Sequence, residues 1–537
     1  MPYADLVLFN ADIRTMDPHT PRASALAVAQ GRVLSVGSSE QMATFAGPRT
    51  RTVDAGGRLI LPGFHDTHLH LQDGGQQMNT SVDLSEARSP AELCAVLANF
   101  AGSHQRSWVE GGLWYSGLFN DDNLNRQCLD DAVRDRPCFV MSSDAHSACI
   151  NSKACEIVEL NADTVDPPNG HFVRDAAGVP TGMLHEAAVT WVMERMPDVT
   201  DADYADGVRY AMRHANAHGI TSVLDASIAE RHARVYAALA ATGELSLRVL
   251  ATARIDPTED VAGALERVIS LRAAATDPMF RVHSAKFFLD GVFENRTAAM
   301  ISDYTDGGNA PLMFSPTQID EFFTAFDAAR FQIHVHAIGD LAVRAALDGL
   351  ETARRTNGSW PSHHHIAHIQ SIDPADIPRF SALGVVANIQ PLWARFEPSV
   401  TDVALPMVGP ERGRWMYAFR ALRSAHAMLV CSSDWTVSTL NPFEIIETAI
   451  TRKPPGSGAH KAVFLPEERL SLHECIAAYT INAAIAGWRQ DDTGSLSVGK
   501  YADLIMLDRD IYACEPNEIG QTKVLMTLLA GQDVYHA

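Results

Sequence analysis

Two rhythms of apolar and polar positions divide this chain. At its ends the apolar runs are short and rich in Val, Leu and Ile: ADLVLFNADIRTM, ALAVAQGRVLSVG and RTVDAGGRLILPG before Phe64, then YADLIMLDRDIY (Tyr501 to Tyr512) and KVLMTLLAGQDVY (Lys523 to Tyr535). Such runs, bounded by turn residues, read as strands. Gln30-Gly31 between two of them is a hairpin signal, because a two-residue turn favours a residue that tolerates positive φ. Chain ends commonly lie close together at a domain surface. Residues 1–60 and 488–537 are therefore expected to form one small β-sandwich.

The middle, residues 61–487, has the second rhythm: a β-rich run ending in polar residues, next to an Ala- and Leu-rich helical stretch. GITSVLDAS follows DADYADGVRYAMRHANAHG, RVHSAKFFLDG follows DVAGALERVISLRAAA, and FQIHVHAIGD precedes LAVRAALDGLETARR. HHHIAHIQS and AMLVCSSDWTV lead into further helical segments. Repeated strand–helix units predict an α/β fold with a parallel sheet. Chemically useful residues at the C-terminal ends of the strands favour a (β/α)8 barrel of the TIM type. No Gly-rich phosphate loop follows the first strand, which argues against a doubly wound sheet. Residues of about 76–200 break the rhythm and read as an inserted stretch of loops and short elements over the barrel mouth.

Composition narrows the class. At 537 residues, 46% hydrophobic and 20% charged, the chain is long enough for a large core and needs no staples. A net charge of -22 argues against a nucleic-acid surface. Eight scattered cysteines without a CxxC pair favour free thiols in a reducing compartment. The N-terminus has no basic region before an apolar one, and no apolar run is long enough to span a bilayer. The expectation is a cytoplasmic protein with a small-molecule substrate and no nucleic-acid or membrane partner.

The candidate chemistry starts at LPGFHDTHLH, Leu61 to His70. His68 and His70 are two apart on a predicted strand, so both side chains face the same way. Alone, an HxH pair is a weak sign. His336 with His334 in QIHVHAIGD, His368 in HIAHIQ and Asp434 in MLVCSSD bring further ligand-type residues to the ends of other strands. Taken singly each reads as a hydrogen-bonded side chain or a helix cap. Together they suit a zinc ion, and also iron, manganese or nickel, with room for a water. Lys286 interrupts an apolar strand, either as a buried partner of Asp290 or another acid, or as a neutral lysine able to form a carbamate with carbon dioxide.

LPGFHDTHLH, AKFFLDG, HVHAIGD, IAHIQ, CSSDW and GSLSVGKYADLIMLD, in this order, resemble the amidohydrolase superfamily and its YtcJ-like branch. The resemblance covers nearly the whole chain. It implies a metal-bearing (β/α)8 barrel with a terminal β-sandwich, one or two divalent ions, and ligand roles for His68, His70, His336, His368 and Asp434. Lys286 falls where members of this group often carry a carboxylated lysine, and SDAHSACINS around His146 and VPTGMLHEAA around Glu186 are similar to the branch's insertion. His65, Ala367 and Trp435 depart from the group's pattern near the site. A homodimer is a further implication.

The function this predicts is hydrolysis of an amide-type C–N bond (N-acyl, N-formyl or cyclic) by a metal-activated water, with Asp434 as the base. A deaminase or esterase using the same site, or a catalytically silent metal-containing binding or regulatory protein, are the rivals. Trp114, His146, Glu186, Arg296, Trp393 and Trp435 are candidate pocket residues, ordinary packing or a surface ion pair being the alternative for the tryptophans and the arginine. His65, His334, His364 and His365 are candidate supports for the ligands.

Overall fold

The computed structural model describes residues 3–103, 106–114, 119–142, 147–168, 170–458 and 460–537. The chain divides into two compact units. One comprises Met1–Leu71 with Ala211–Ala537, the other Gln72–Tyr210.

The first unit contains an eight-stranded sheet whose strands are β1 (Phe64–Leu69), β2 (Ile220–Ile228), β3 (Arg248–Arg254), β4 (Phe280–Phe288), β5 (Gln332–Ala337), β6 (His365–His368), β7 (Val386–Ile389) and β8 (Met428–Cys431). They lie side by side in chain order, each parallel to the next. Between β8 and β1 the gap is bridged: the Thr67 hydroxyl donates to the Cys431 carbonyl at 3.0 Å, and the Asp434 N–H to the His68 carbonyl at 2.8 Å. This is a nearly closed (β/α)8 barrel. Helices cross from strand to strand, as with Glu230–Ala241 between β2 and β3 and Asp340–Asn357 between β5 and β6. Their apolar stripes, such as Ala342, Val343, Ala346, Leu347 and Leu350, are buried. A phenylalanine cluster shows the wall's packing: the Phe287 ring on β4 lies 5.1 Å from Phe323 and 5.7 Å from Phe314.

Both chain ends contribute two further sheets. Arg32–Gly37, Ala25–Ala29, Leu6–Phe9 and Arg51–Asp54 form one. Gln532–His536, Val524–Leu529, Leu504–Leu507, Leu59–Pro62, Asp12–Arg14 and Arg22–Ala23 form the other. Leu8, Leu26 and Val28 of the first and Ile60, Leu504 and Leu528 of the second share one buried cluster. Gln30 and Gly31, at φ 52° and 74°, close the predicted hairpin. Leu59–Pro62 runs through Gly63 straight into β1. A side chain on Gly63 would meet the Thr221 side chain at 2.4 Å, so only glycine lets the chain pass this close.

In the second unit the structure differs from the loop-rich expectation. Gly170–Arg174, Pro180–Glu186, Ser147–Ile150, Cys138–Ser142, Val109–Trp114 and Ser81–Asp83 form a six-stranded mixed sheet. Val109, Trp114 and Val140 of the sheet are buried with Leu93, Leu97 and Leu129 of two helices in one cluster, and Phe139, Ile150 and Leu184 in another. Each strand is only three to seven residues long, too short for periodicity to separate it from a loop. The eight cysteines are free thiols, and no helix among the described residues is long and apolar enough to cross a membrane.

Candidate active site

The register lines up polar residues across the strands, with His68 and His368 toward the C-terminal ends, Asp434 just past β8 and His365 at the start of β6. Lys286 on β4 is level with His334 on β5, and His334 with His365 on β6. His68 reaches this group from β1 and lies fully buried. Its Nδ1 is 2.8 Å from His334 Nε2, and its Nε2 is 3.4 Å from the Lys286 ammonium. His70 follows the strand and is partly exposed. His368 ends β6, and Asp434 lies three residues beyond β8. Both hold positive φ, 80° and 52°, a conformation that costs a non-glycine residue energy and recurs at functional sites.

His68, His368 and Asp434 each offer a ligand-type atom, and these atoms lie within 4.8 Å of one another. Asp434 Oδ1 is 3.3 Å from His70 Nε2 and 3.5 Å from His68 Nε2, and Oδ2 is 4.0 Å from His368 Nδ1. Oδ1 is buried with no hydrogen-bond partner among the described residues. A buried carboxylate oxygen left unpaired carries its full desolvation cost, and a cation at this point would remove it. The donor set, imidazoles with one carboxylate, is the one zinc takes.

Neighbouring side chains settle which imidazole nitrogen is free. Gln390 Nε2 donates to Ser432 Oγ at 2.7 Å, so its Oε1 must accept. His368 Nδ1 lies 3.0 Å from that oxygen and therefore carries the proton, leaving the Nε2 lone pair available. Trp393 stacks on the His368 ring at 5.4 Å and 11° and limits its rotation. Gln390 has no counterpart among the candidates from sequence. Its one signal was a polar residue directly after the apolar strand VANI, which without a register has no assigned partner.

Burial dominates the protonation of the group. It pushes His68, His334 and His368 well below the usual imidazole range, with the charges of neighbouring groups adding to it. His336 falls to about 4 and Lys286 to about 7, again chiefly by burial. Burial also pulls on His70, but the Asp434 carboxylate beside it, 3.3 Å away, lifts it above its ordinary value. The unprotonated imidazoles of His68, His336 and His368 and a readily neutralised lysine are the states that ligation requires.

The remaining candidates scatter. His336 Nε2 faces the Gly291 carbonyl at 3.1 Å, with its ring 4.4 Å from that of His368. Asp290 does not pair with Lys286; it accepts the N–H groups of Ala299, Ile338 and Gly339. Trp435 is buried, and its carbonyl accepts the His70 N–H at 2.8 Å. Arg296 makes a bidentate surface pair with Asp306 at 2.9 and 3.0 Å. Trp114 is buried in the second unit's core, against Phe119, and Glu186 is exposed at the end of its strand. His364 is held between the Ile333 N–H and Asp327, away from the ligand group. His146 lies outside the described residues.

A (β/α)8 barrel with a histidine–carboxylate cluster on its C-terminal rim has the donor set of a metal site. Residues 51–535 match the amidohydrolase family, so the chain belongs to it, and its relatives place it in the YtcJ-like branch. It is 28% identical to protein LONG AFTER FAR-RED 3 of Arabidopsis thaliana, over 99% of this chain and 92% of that one. It is 26% identical to N-substituted formamide deformylase of Arthrobacter pascens (98% and 97%) and 25% identical to putative amidohydrolase YtcJ of Bacillus subtilis (97% and 98%). An uncharacterized metal-dependent hydrolase from Pyrococcus horikoshii superposes with a TM-score of 0.76 at 25% identity, over 95% of this chain and 99% of that one.

Proposed function

We propose that this hydrolase is metal-dependent and cleaves the C–N bond of a small amide, an N-acyl, N-formyl or cyclic one. The observation that carries the reading is the unpartnered, buried Oδ1 of Asp434 facing His68 and His70. His68, His70, His368 and Asp434 would hold the ion, zinc by donor type, with His336 and Lys286 completing a second position if Lys286 is carboxylated. Such an ion supplies a water acidified from a pKa of about 15.7 to about 7 and polarises the carbonyl under attack. Asp434 takes the proton of the attacking water on its carboxylate and returns it to the leaving nitrogen. Gln390 and Trp393 keep the His368 ring oriented. The amide class is supported by the likeness to N-substituted formamide deformylase along nearly the full length of both chains. The two terminal sheets, sharing one core, are read as a β-sandwich domain that anchors β1.

The test is elemental analysis of the purified protein beside a His68→Ala/His70→Ala variant, followed by turnover on N-formyl and N-acyl amides, esters and amino-heterocycles. Expected are about one or two equivalents of metal, absent from the variant, and turnover of amides. A folded wild type that holds no metal and cannot be loaded refutes metal dependence. Turnover confined to esters or amino-heterocycles refutes the amide class.

A further inference from the structure

The N-terminal ends of the strands enclose a second polar site. A cavity of about 30 Å³ there is lined by His65, Ser222, Arg248, His365 and Arg489 together with apolar groups. A volume of about 10–15 Å³ already admits a water-sized occupant. Three lining side chains are buried with a polar atom that no group among the described residues satisfies: His65 Nε2, Ser222 Oγ and His365 Nε2. Three such atoms around one cavity call for an occupant.

Two of the three can donate, His365 Nε2 and the Ser222 hydroxyl. The Asn388 amide donates to the Thr67 carbonyl at 2.9 Å, while its oxygen accepts the Ser432 hydroxyl at 2.7 Å. His365 Nδ1, 3.3 Å from that same amide nitrogen, is therefore an acceptor, and the His365 proton sits on the unsatisfied Nε2. Ser222 has a hydroxyl proton to give. Arg248 is neutralised by a bidentate pair with Asp503, at 3.0 and 3.1 Å. Arg489 donates to the Pro278 carbonyl and forms no ion pair with a carboxylate among the described residues. The one acid in the lining, Asp66, is turned to the backbone N–H groups of His68 and Ser433, each at 3.2 Å. Burial holds His65 down at about 3, and the charges of Arg489, Arg248 and Lys500 push the same way.

We propose that this floor cavity is a binding site for a small monovalent anion of halide type, held by His365 Nε2–H and the Ser222 hydroxyl and balanced by the Arg489 guanidinium. A desolvated cation with donors around a small void favours an anion over a neutral occupant. Binding is expected whether or not the rim carries a metal.

The direct test uses wild-type crystals grown or soaked in sodium bromide, with data collected at the bromine edge. An anomalous peak between His365 Nε2 and Ser222 Oγ is the expected result. In solution, chloride or bromide should raise Tm by a few degrees, saturably, over isethionate at equal ionic strength. The rise should be lost in Ser222→Ala and in Arg489→Gln. Water-like density without anomalous signal, with equal Tm in both salts, would show the site to be hydrated instead and overturn the proposal.

Discussion

The two ends of this barrel share the same strands and carry opposite defects. At the rim Asp434 Oδ1 is a buried acceptor without a hydrogen-bond partner among the described residues, facing His68, which burial keeps neutral, and His70, which the carboxylate lifts above its ordinary value. At the floor the unsatisfied atoms include a fixed donor, His365 Nε2–H, near Arg489, which has no carboxylate ion pair among the described residues. One end is complementary to a cation and the other to an anion. A polar residue in a barrel interior thus says little by itself; the sign of what it leaves unpaired says what belongs beside it.

Changes at the rim should alter chemistry with little effect on stability, and changes in the wall should do the reverse. The largest effect is expected of His68→Ala/His70→Ala: metal content near zero and no measurable turnover, with urea unfolding close to wild type. Asp434→Asn should keep most of the metal and lose about 10²–10⁴-fold in kcat. Full turnover in that variant would remove Asp434 from the role of base. Phe287→Ala, which empties the centre of the phenylalanine cluster, should cost about 3–5 kcal/mol in urea unfolding while metal stoichiometry is retained in the folded fraction. Gln390→Ala frees the His368 ring and should weaken metal binding about 10–100-fold, read by competition with a chelator.

The smallest effect concerns an ion pair remote from both ends. Burial alone would raise the Glu474 carboxyl, but hydrogen bonds from Arg420 and Ser471 bring it down to about 2 from 4.5. A depressed carboxyl stabilises the fold above its unfolded value. That contribution should be present above about pH 4.5 and fade as the pH falls toward about 2. With Arg420 about one-third exposed, 36% of its side chain, solvent screening limits it to about 1–2 kcal/mol. Glu474→Gln should flatten acid unfolding in this window and leave metal content unchanged.

The barrel was legible because each wall strand joins an apolar run to a polar end, and the helices between carry Ala and Leu at helical spacing. His68, His368 and Asp434 stood out for the same reason: each is a ligand-type residue at or just beyond the end of an apolar stretch. What could not be read depends on register. Nothing in the local pattern says that His334 meets His68 Nδ1, that Gln390 fixes the His368 proton, or that Asp290 turns to backbone amides rather than to Lys286. The second unit's sheet escaped notice because strands as short as Ser81–Asp83 have no period to detect.

Leu59–Pro62, paired on one side with Asp12–Arg14, is paired on the other with Leu504–Leu507, and leads through Gly63 to His68. A ribosome emits the first partner long before the second. The segment leading into the first rim histidine therefore gains its second neighbour only once Leu504–Leu507 has emerged, and long-range pairing of this kind is slow to form. A nascent chain stalled before Leu504 should hold its upstream barrel strands with β1 less firmly seated, so that emergence of this distant strand, rather than collapse of the barrel, times the birth of the site.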